Sequence, residues 1–236
     1  MSRTLCWFSC GAASAVATKL TLESNPLALP VRIIVKREHP DNWRFADDCL
    51  WWFMKPIIEL QDEKYGADPW QVWEQTGYLN GPGGARCSTE LKKKVRQNFQ
   101  RPDDVHVFGY HIEEWERAKR LREMHPELDC RFPLIERMIT KEDCYKIVQD
   151  AGLILPLMYR LGYNNANCVG CCKGGKGYFN KIKVDFPHVF EWMAQHEEKT
   201  GNRFMVRTTL RDLKPGSGSH KDLVLPSCGM FCGENE

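Results

Sequence analysis

Three sulfurs fall within one short loop, Cys168-Val169-Gly170-Cys171-Cys172, inside a run from Asn164 to Gly177 that is rich in Gly and Asn. Thiolates are soft ligands, and a two-residue spacer on a tightly turning loop lets Cys168 and Cys171 face one centre. Cys87 lies far upstream beside the basic run Lys92-Lys93-Lys94, and Cys228 and Cys232 stand near the end of the chain. Four thiolates on loops suit an iron–sulfur cluster or tetrahedral zinc, the zinc set being Cys168, Cys171, Cys228 and Cys232. The segment Leu213 to His220 (LKPGSGSH) has linker composition and would carry the tail as a mobile arm. A mobile, exposed thiol near positive charge is a candidate nucleophile, which fits Cys228, with Cys232 close enough to resolve an adduct. Cys6, Cys49, Cys130 and Cys144 fall in predicted strands or helices and read as core thiols.

The composition narrows the class of protein. A chain of 236 residues with 42% hydrophobic residues supports one large domain, or a domain with a small appendage. The N-terminal segment lacks a basic region followed by an apolar run, and no stretch approaches the roughly 18 apolar residues of a membrane span. The expectation is a soluble, cytoplasmic protein without a membrane partner. In that compartment 11 cysteines point to metal binding or catalysis rather than to a disulfide framework. A net charge of +2 argues against a protein that coats nucleic acid.

The elements that must position these thiols alternate. Strand-like runs at Thr4 to Ser9, Val31 to Val35 and Val105 to Tyr110 are each followed by a predicted helix: Ala13 to Leu22, about Asn42 to Gln61, and Ile112 to Met124. Further helices are expected over Asp68 to Thr76, Thr89 to Phe99, Thr140 to Ala151 and Phe186 to Lys199. Alternation of this kind implies parallel crossovers and an α/β fold, a parallel sheet flanked by helices. The expected division is a nucleotide-binding core over 1–162 and, over 163–236, a cysteine-rich loop, a helix and the tail. Ser9-Cys10-Gly11-Ala12-Ala13-Ser14 lies between the first strand and its helix, where small residues let backbone N–H groups and the Ser9 and Ser14 hydroxyls approach an anion. It lacks the Lys of a Walker loop and the three glycines of a dinucleotide fingerprint. Gly174 to Gly177 is either a second anion turn or a tight connection. Arg207 and Arg211, in a strand-like FMVRTTLRDL, are phosphate ligands or surface arginines. His39, His106, His111 and His188 show no ligand spacing.

Ser9-x-Gly11-x-x-Ser14 after the first strand resembles the modified PP-loop of the phosphoadenosine-phosphosulfate (PAPS) reductase family, within the adenine-nucleotide α-hydrolase-like superfamily. Glu38-His39-Pro40-Asp41, Arg86-Cys87-Ser88-Thr89-Glu90-Leu91-Lys92 and Gly109 to Arg117 (GYHIEEWER) are similar to later motifs of that family, in order, so the resemblance covers roughly residues 3 to 185. It implies a PP-loop fold and a sulfonucleotide bound by Ser9, Gly11, Ser14, Glu38, Lys92 and Arg117. It also implies a [4Fe-4S] cluster on Cys87, Cys168 and Cys171, with Ser88 standing where a second cysteine is expected. The fourth ligand is then Cys172, favoured for its adjacency, or Cys10, Cys228 or Cys232. In the implied reaction the tail thiol attacks the sulfonyl sulfur, and a thioredoxin-like dithiol releases sulfite. Cys10 and Ala13 replace the Gly and Asp of ATP-using relatives, and the tail keeps Cys-Gly without the family's flanking Glu and His. Two alternatives stand beside this expectation: an ATP-dependent sulfur-inserting enzyme of the same fold acting on DNA or RNA, and a non-catalytic metal-stabilised nucleotide-binding or redox module. A homodimer is left open.

Overall fold

Thr4–Trp7 and Leu29–Ile33 are short apolar runs whose side chains are buried on both faces, as inner strands of a parallel sheet require. The computed structural model describes residues 2–81, 84–219, 225, 228 and 230. In chain order the elements are β1 (Thr4–Trp7), α1 (Ala12–Ser24), β2 (Leu29–Ile33), α2 (Asp41–Phe53), β3 (Ile58–Leu60), α3 (Pro69–Thr76), β4 (Asn80–Gly81), β5 (Gly84–Ala85), α4 (Arg86–Ser88), α5 (Lys94–Phe99), β6 (Val105–Val107), α6 (Trp115–Met124), β7 (Asp129–Arg131), α7 (Pro133–Glu136), α8 (Lys141–Asp150), α9 (Leu157–Arg160), α10 (Lys176–Asp185) and α11 (Pro187–Thr200). A π-helical turn, Thr89–Lys93, joins α4 to α5, and a 3-10 turn, Ile112–Glu114, leads into α6. The fold is α/β: a five-stranded, all-parallel sheet in the order β3-β2-β1-β6-β7, flanked by helices. Among the described residues no helix is long and apolar enough to cross a membrane.

The chain forms two compact units that interleave in sequence. The first comprises Met1–Ile34, Pro40–Leu60 and Gln97–Arg160; the second comprises Val35–His39, Gln61–Arg96 and Leu161–Glu236. The segments 35–39 and 61–96 thus group with the cysteine-rich loop.

The first unit holds the sheet. Its core is built from Phe8, Phe45, Phe53, Val107 and Leu134 around α1, whose inward residues are mostly Ala and Val. Small side chains let that helix lie close to the strands, while Phe8 meets Phe53 edge-on at 5.5 Å. Each fully buried aromatic adds roughly 1.5–3 kcal/mol of hydrophobic stabilisation. Cys6, Cys10, Cys49 and Cys144 are completely buried here, and burial pushes the Cys6 and Cys144 thiols up to about 12. His106 accepts the Trp7 indole N–H at Nδ1 (3.0 Å), which makes it a core imidazole.

Several expected boundaries shift. The helix expected to run to Gln61 stops at Phe53, because Met54 turns left-handed (φ 52°) and Pro56 cannot continue a helix. The chain resumes as β3. The stretch expected as a strand over 204–213 is irregular: the buried Glu197 carboxylate accepts the N–H groups of Phe204 (2.8 Å) and Leu210 (2.6 Å) and so holds it as a loop. Arg211 is a surface arginine paired with Glu191 and Glu198. The expected linker is anchored where it is described, since Asn180 donates to the carbonyls of Lys214 (3.1 Å) and Ser217 (2.7 Å).

In the first unit, Asp41 opens α2, takes a two-pronged contact from Arg44 (2.7 and 2.9 Å) and accepts the Leu157 N–H at 2.7 Å. The Arg44 guanidinium is the largest influence on this carboxyl and, with the Leu157 N–H, holds it at about 2. A depressed carboxylate stabilises the fold above its unfolded value of ~3.9 and loses that contribution as pH falls through the folded value. Asp41→Asn is therefore expected to be less stable than wild type at neutral pH, with the gap shrinking as pH drops from ~4 toward ~2. Urea melts at a series of pH values would read it, and a gap independent of pH would contradict it.

Candidate functional site

Two sets of chemistry-bearing residues emerge, one in each unit. In the first, the strand order reverses between β1 and β6, the switch point at whose carboxyl ends ligands bind in open α/β sheets. The Ser9 to Ser14 turn follows β1, and Gly109 follows β6. Ser9 N–H donates to Ser14 Oγ (3.1 Å), Ser14 Oγ donates to Gly11 O (2.9 Å), and the two hydroxyls lie 3.1 Å apart. Cys10 takes the left-handed conformation (φ 56°) that a glycine adopts freely, and its buried side chain pins the turn. A Cβ on Gly109 would stand 2.5 Å from the Ser14 backbone, so only glycine allows this approach of strand end to helix. The turn ends at Gly11, which caps α1, so the helix start is directed into it. Arg117 sits 4.5 Å over the Tyr110 ring and 3.0 Å from Glu114, which holds its guanidinium as part of the first unit.

The second unit gathers the thiols. Asp68 caps α3 through the Trp70 N–H (3.0 Å) and pairs with Arg37, whose guanidinium covers Trp70 at 3.6 Å; Trp70 stacks on Trp192 at 3.5 Å. This fixes the segment 35–39, against which the cysteine loop hydrogen-bonds: Val169 N–H donates to Arg37 O (2.8 Å), and Cys168 bridges to Glu38. The loop is stapled by one side chain that the sequence did not flag. The Tyr178 hydroxyl accepts the Gly170 (3.1 Å) and Cys171 (2.9 Å) N–H groups and donates to Cys168 O (3.2 Å). Gly170 is left-handed (φ 77°), and a Cβ there would meet Met193 at 2.6 Å.

Lys92 is drawn inward by the π turn, which buries Glu90, Leu91 and Lys92 in succession. Its ammonium donates to Glu38 Oε1 and to the Cys228 carbonyl, each at 3.4 Å. Burial is the largest single influence and pulls this ammonium down, but Cys228, Glu38 and Cys168 together raise it above the ordinary lysine value. Cys87, Cys168, Cys171, Cys172 and Cys228 share this neighbourhood electrostatically. Cys172 lies in hydrogen-bonding reach of Cys171 and Cys87. Its S–H holds the Cys171 thiol down to about 7 and the Cys87 thiol below the ordinary value, while Cys172 itself rises well above it. Burial pushes Cys168 and Cys228 up. The buried Trp73 indole N–H has no acceptor in strict hydrogen-bond geometry and favours the thiolate of Cys87.

The expected residues thus sort by unit. Ser9, Gly11, Ser14 and Arg117 belong to the first, and Glu38, Lys92, Cys87, Cys168, Cys171, Cys172 and Cys228 to the second. Cys10 is buried beside Cys49 in the first unit's core. Cys228 is docked rather than carried on a free arm: its Sγ lies 3.3 Å from Ser88 Oγ. Cys232 lies outside the described residues. Every described cysteine is a free thiol. Among the described residues no group of three or more His, Cys, Asp or Glu side chains is arranged to hold a metal ion as it stands.

Neither the family models nor the curated proteins compared with the sequence match it.

Tyr178→Phe strips two buried N–H groups of their shared acceptor. It is expected to cost about 2 kcal/mol, and a denaturant melt would read the loss. A melt unchanged from wild type would mean the loop does not depend on this hydroxyl.

Proposed function

We propose that the protein is an enzyme of the sulfonucleotide-reductase type on a PP-loop fold, acting in a reducing cytoplasm on PAPS or adenylyl sulfate. The observation that carries this reading is the gathering of four thiols, Cys87, Cys168, Cys171 and Cys228, around one buried ammonium, Lys92, in a chain that also carries a small-residue turn at the switch point of its sheet. The donor set fits a [4Fe-4S] cluster. Its ligands are soft sulfurs, two of them low-lying thiolates, and a buried indole N–H favours one of these. Cys87, Cys168 and Cys171 would hold the cluster together with a fourth thiol, and when bound it would supply a fixed, redox-active charge. Zinc is the rival occupant of the same thiolates.

The residues of the chain account for binding and proton handling. Ser9, Gly11 and Ser14 offer hydroxyl and backbone donors to the phosphate of a sulfonucleotide, aided by the α1 dipole. Lys92 offers a charge for an anionic group, and Glu38 orients it. A tail thiolate, from Cys228 or Cys232, attacks the sulfonyl sulfur. The bond from sulfur to the phosphate oxygen breaks, AMP or its 3′-phosphorylated form leaves with the electron pair, and an enzyme thiosulfonate remains. A dithiol then attacks the cysteine sulfur, sulfite departs, and the second thiol closes a disulfide. The sulfur is thereby reduced by two electrons and the dithiol oxidised by two.

The test is an anaerobic assay with PAPS, adenylyl sulfate or ATP, with and without thioredoxin and its reductant. The expected result is sulfite from a sulfonucleotide only when the dithiol is present, falling at least a hundredfold in Lys92→Gln. ATP cleavage without sulfite, with sulfur appearing in added tRNA or DNA, would overturn this in favour of sulfur insertion. Binding of neither nucleotide would sink both enzyme readings.

A further inference from the structure

We infer that Cys228 is the fourth sulfur of the metal centre, beside Cys87, Cys168 and Cys171, held there by an asparagine clamp. The inference rests on the iron–sulfur reading above and assigns its ligands. It starts from three side chains just before the cysteine loop. Asn164 makes a two-point contact with Leu225, accepting its N–H at Oδ1 (3.1 Å) and donating from Nδ2 to its carbonyl (3.1 Å). Asn165 donates to the same carbonyl at 2.7 Å, and Asn167 Oδ1 accepts the Cys228 N–H at 3.2 Å. An amide side chain carries both a donor and acceptor sites, so Asn164 can pair with backbone as a neighbouring strand would. The three contacts to Leu225 and the one to Cys228 set the register of the tail against residues 164–167, and the next residue is Cys168.

The clamp delivers the Cys228 sulfur to a prepared place. Its Sγ lies 3.3 Å from Ser88 Oγ, and Ser88 directly follows Cys87. A serine hydroxyl donates well to a thiolate, and Lys92 holds the Cys228 carbonyl from the other side at 3.4 Å. The Cys228 sulfur thereby shares the neighbourhood of Cys87, Cys168 and Cys171. Cys172, whose Sγ also lies 3.8 Å from the Leu79 carbonyl, is the competing sulfur, and the experiment separates the two. Commitment of Cys228 to the metal leaves Cys232 as the tail thiol for attack.

The experiment is anaerobic reconstitution of the full chain with iron and sulfide, followed by iron and sulfide analysis, the visible spectrum, and EPR after reduction. Wild type is expected to hold about four irons per chain. Cys228→Ser is expected to lose at least half of this iron or to show a shifted EPR signal, while Cys172→Ala keeps wild-type iron content and signal. Asn167→Ala is expected to weaken cluster retention, and Asn167→Asp, which keeps an acceptor for the Cys228 N–H, to restore it. Circular dichroism of each metal-free chain separates loss of ligand from loss of fold. A Cys228→Ser protein with full iron and an unchanged signal, or a Cys172→Ala protein without iron, would overturn the assignment. Wild type without iron would instead sink the iron–sulfur reading on which it rests.

Discussion

An ammonium removed from water has to be paired, and Lys92 is the charge around which the second unit is arranged. Its side chain is 9% exposed and that of its partner Glu38 is 7% exposed. Breaking such a pair by removing one member costs roughly 3–5 kcal/mol, because the other charge is left stranded. The segment 35–39, the π turn and the tail each supply part of the answer: a carboxylate, the lysine itself, and a carbonyl beside a thiol. The π turn buries Glu90, Leu91 and Lys92 in succession, and such turns recur where a helix has been bent to a functional task.

The first unit meets a different demand, a strand end and a helix start that approach each other closely. Alanines along α1, the glycine after β6 and the left-handed Cys10 all shorten distances around the start of that helix. The left-handed cysteine costs on the order of 1–2 kcal/mol, and complete burial of its side chain offsets this. The turn is therefore held by packing beneath it rather than by freedom in the loop.

The alternation of apolar strands with amphipathic helices made the parallel sheet legible in the sequence, and the Cys168 to Cys172 spacing marked the loop. The end of α2 was misread because the amphipathic pattern carries on past Phe53, although Pro56 marks the break. The interleaving of the two units was not legible, because it depends on contacts across the fold rather than on neighbours in sequence. Tyr178 and the asparagines near Cys168 act through single hydrogen bonds across the fold, which no periodicity announces. Linker composition suggested a mobile arm, yet Asn180 holds Lys214 and Ser217, and the asparagine clamp holds Leu225 and Cys228.

The contact between Ser88 and Cys228 spans 140 residues of sequence. Closing so long a loop costs entropy that grows only slowly with length, but it sets an order of events. A growing chain emerges from its N-terminus, so the strands of the parallel sheet can pair while the thiols still wait for their last member. The sulfur-rich loop thus lacks this contact until Cys228 has emerged. A chain that ends before Cys228 would carry every strand of the sheet but leave Ser88 without that partner, with the loop's thiols open to oxidation or to stray metal.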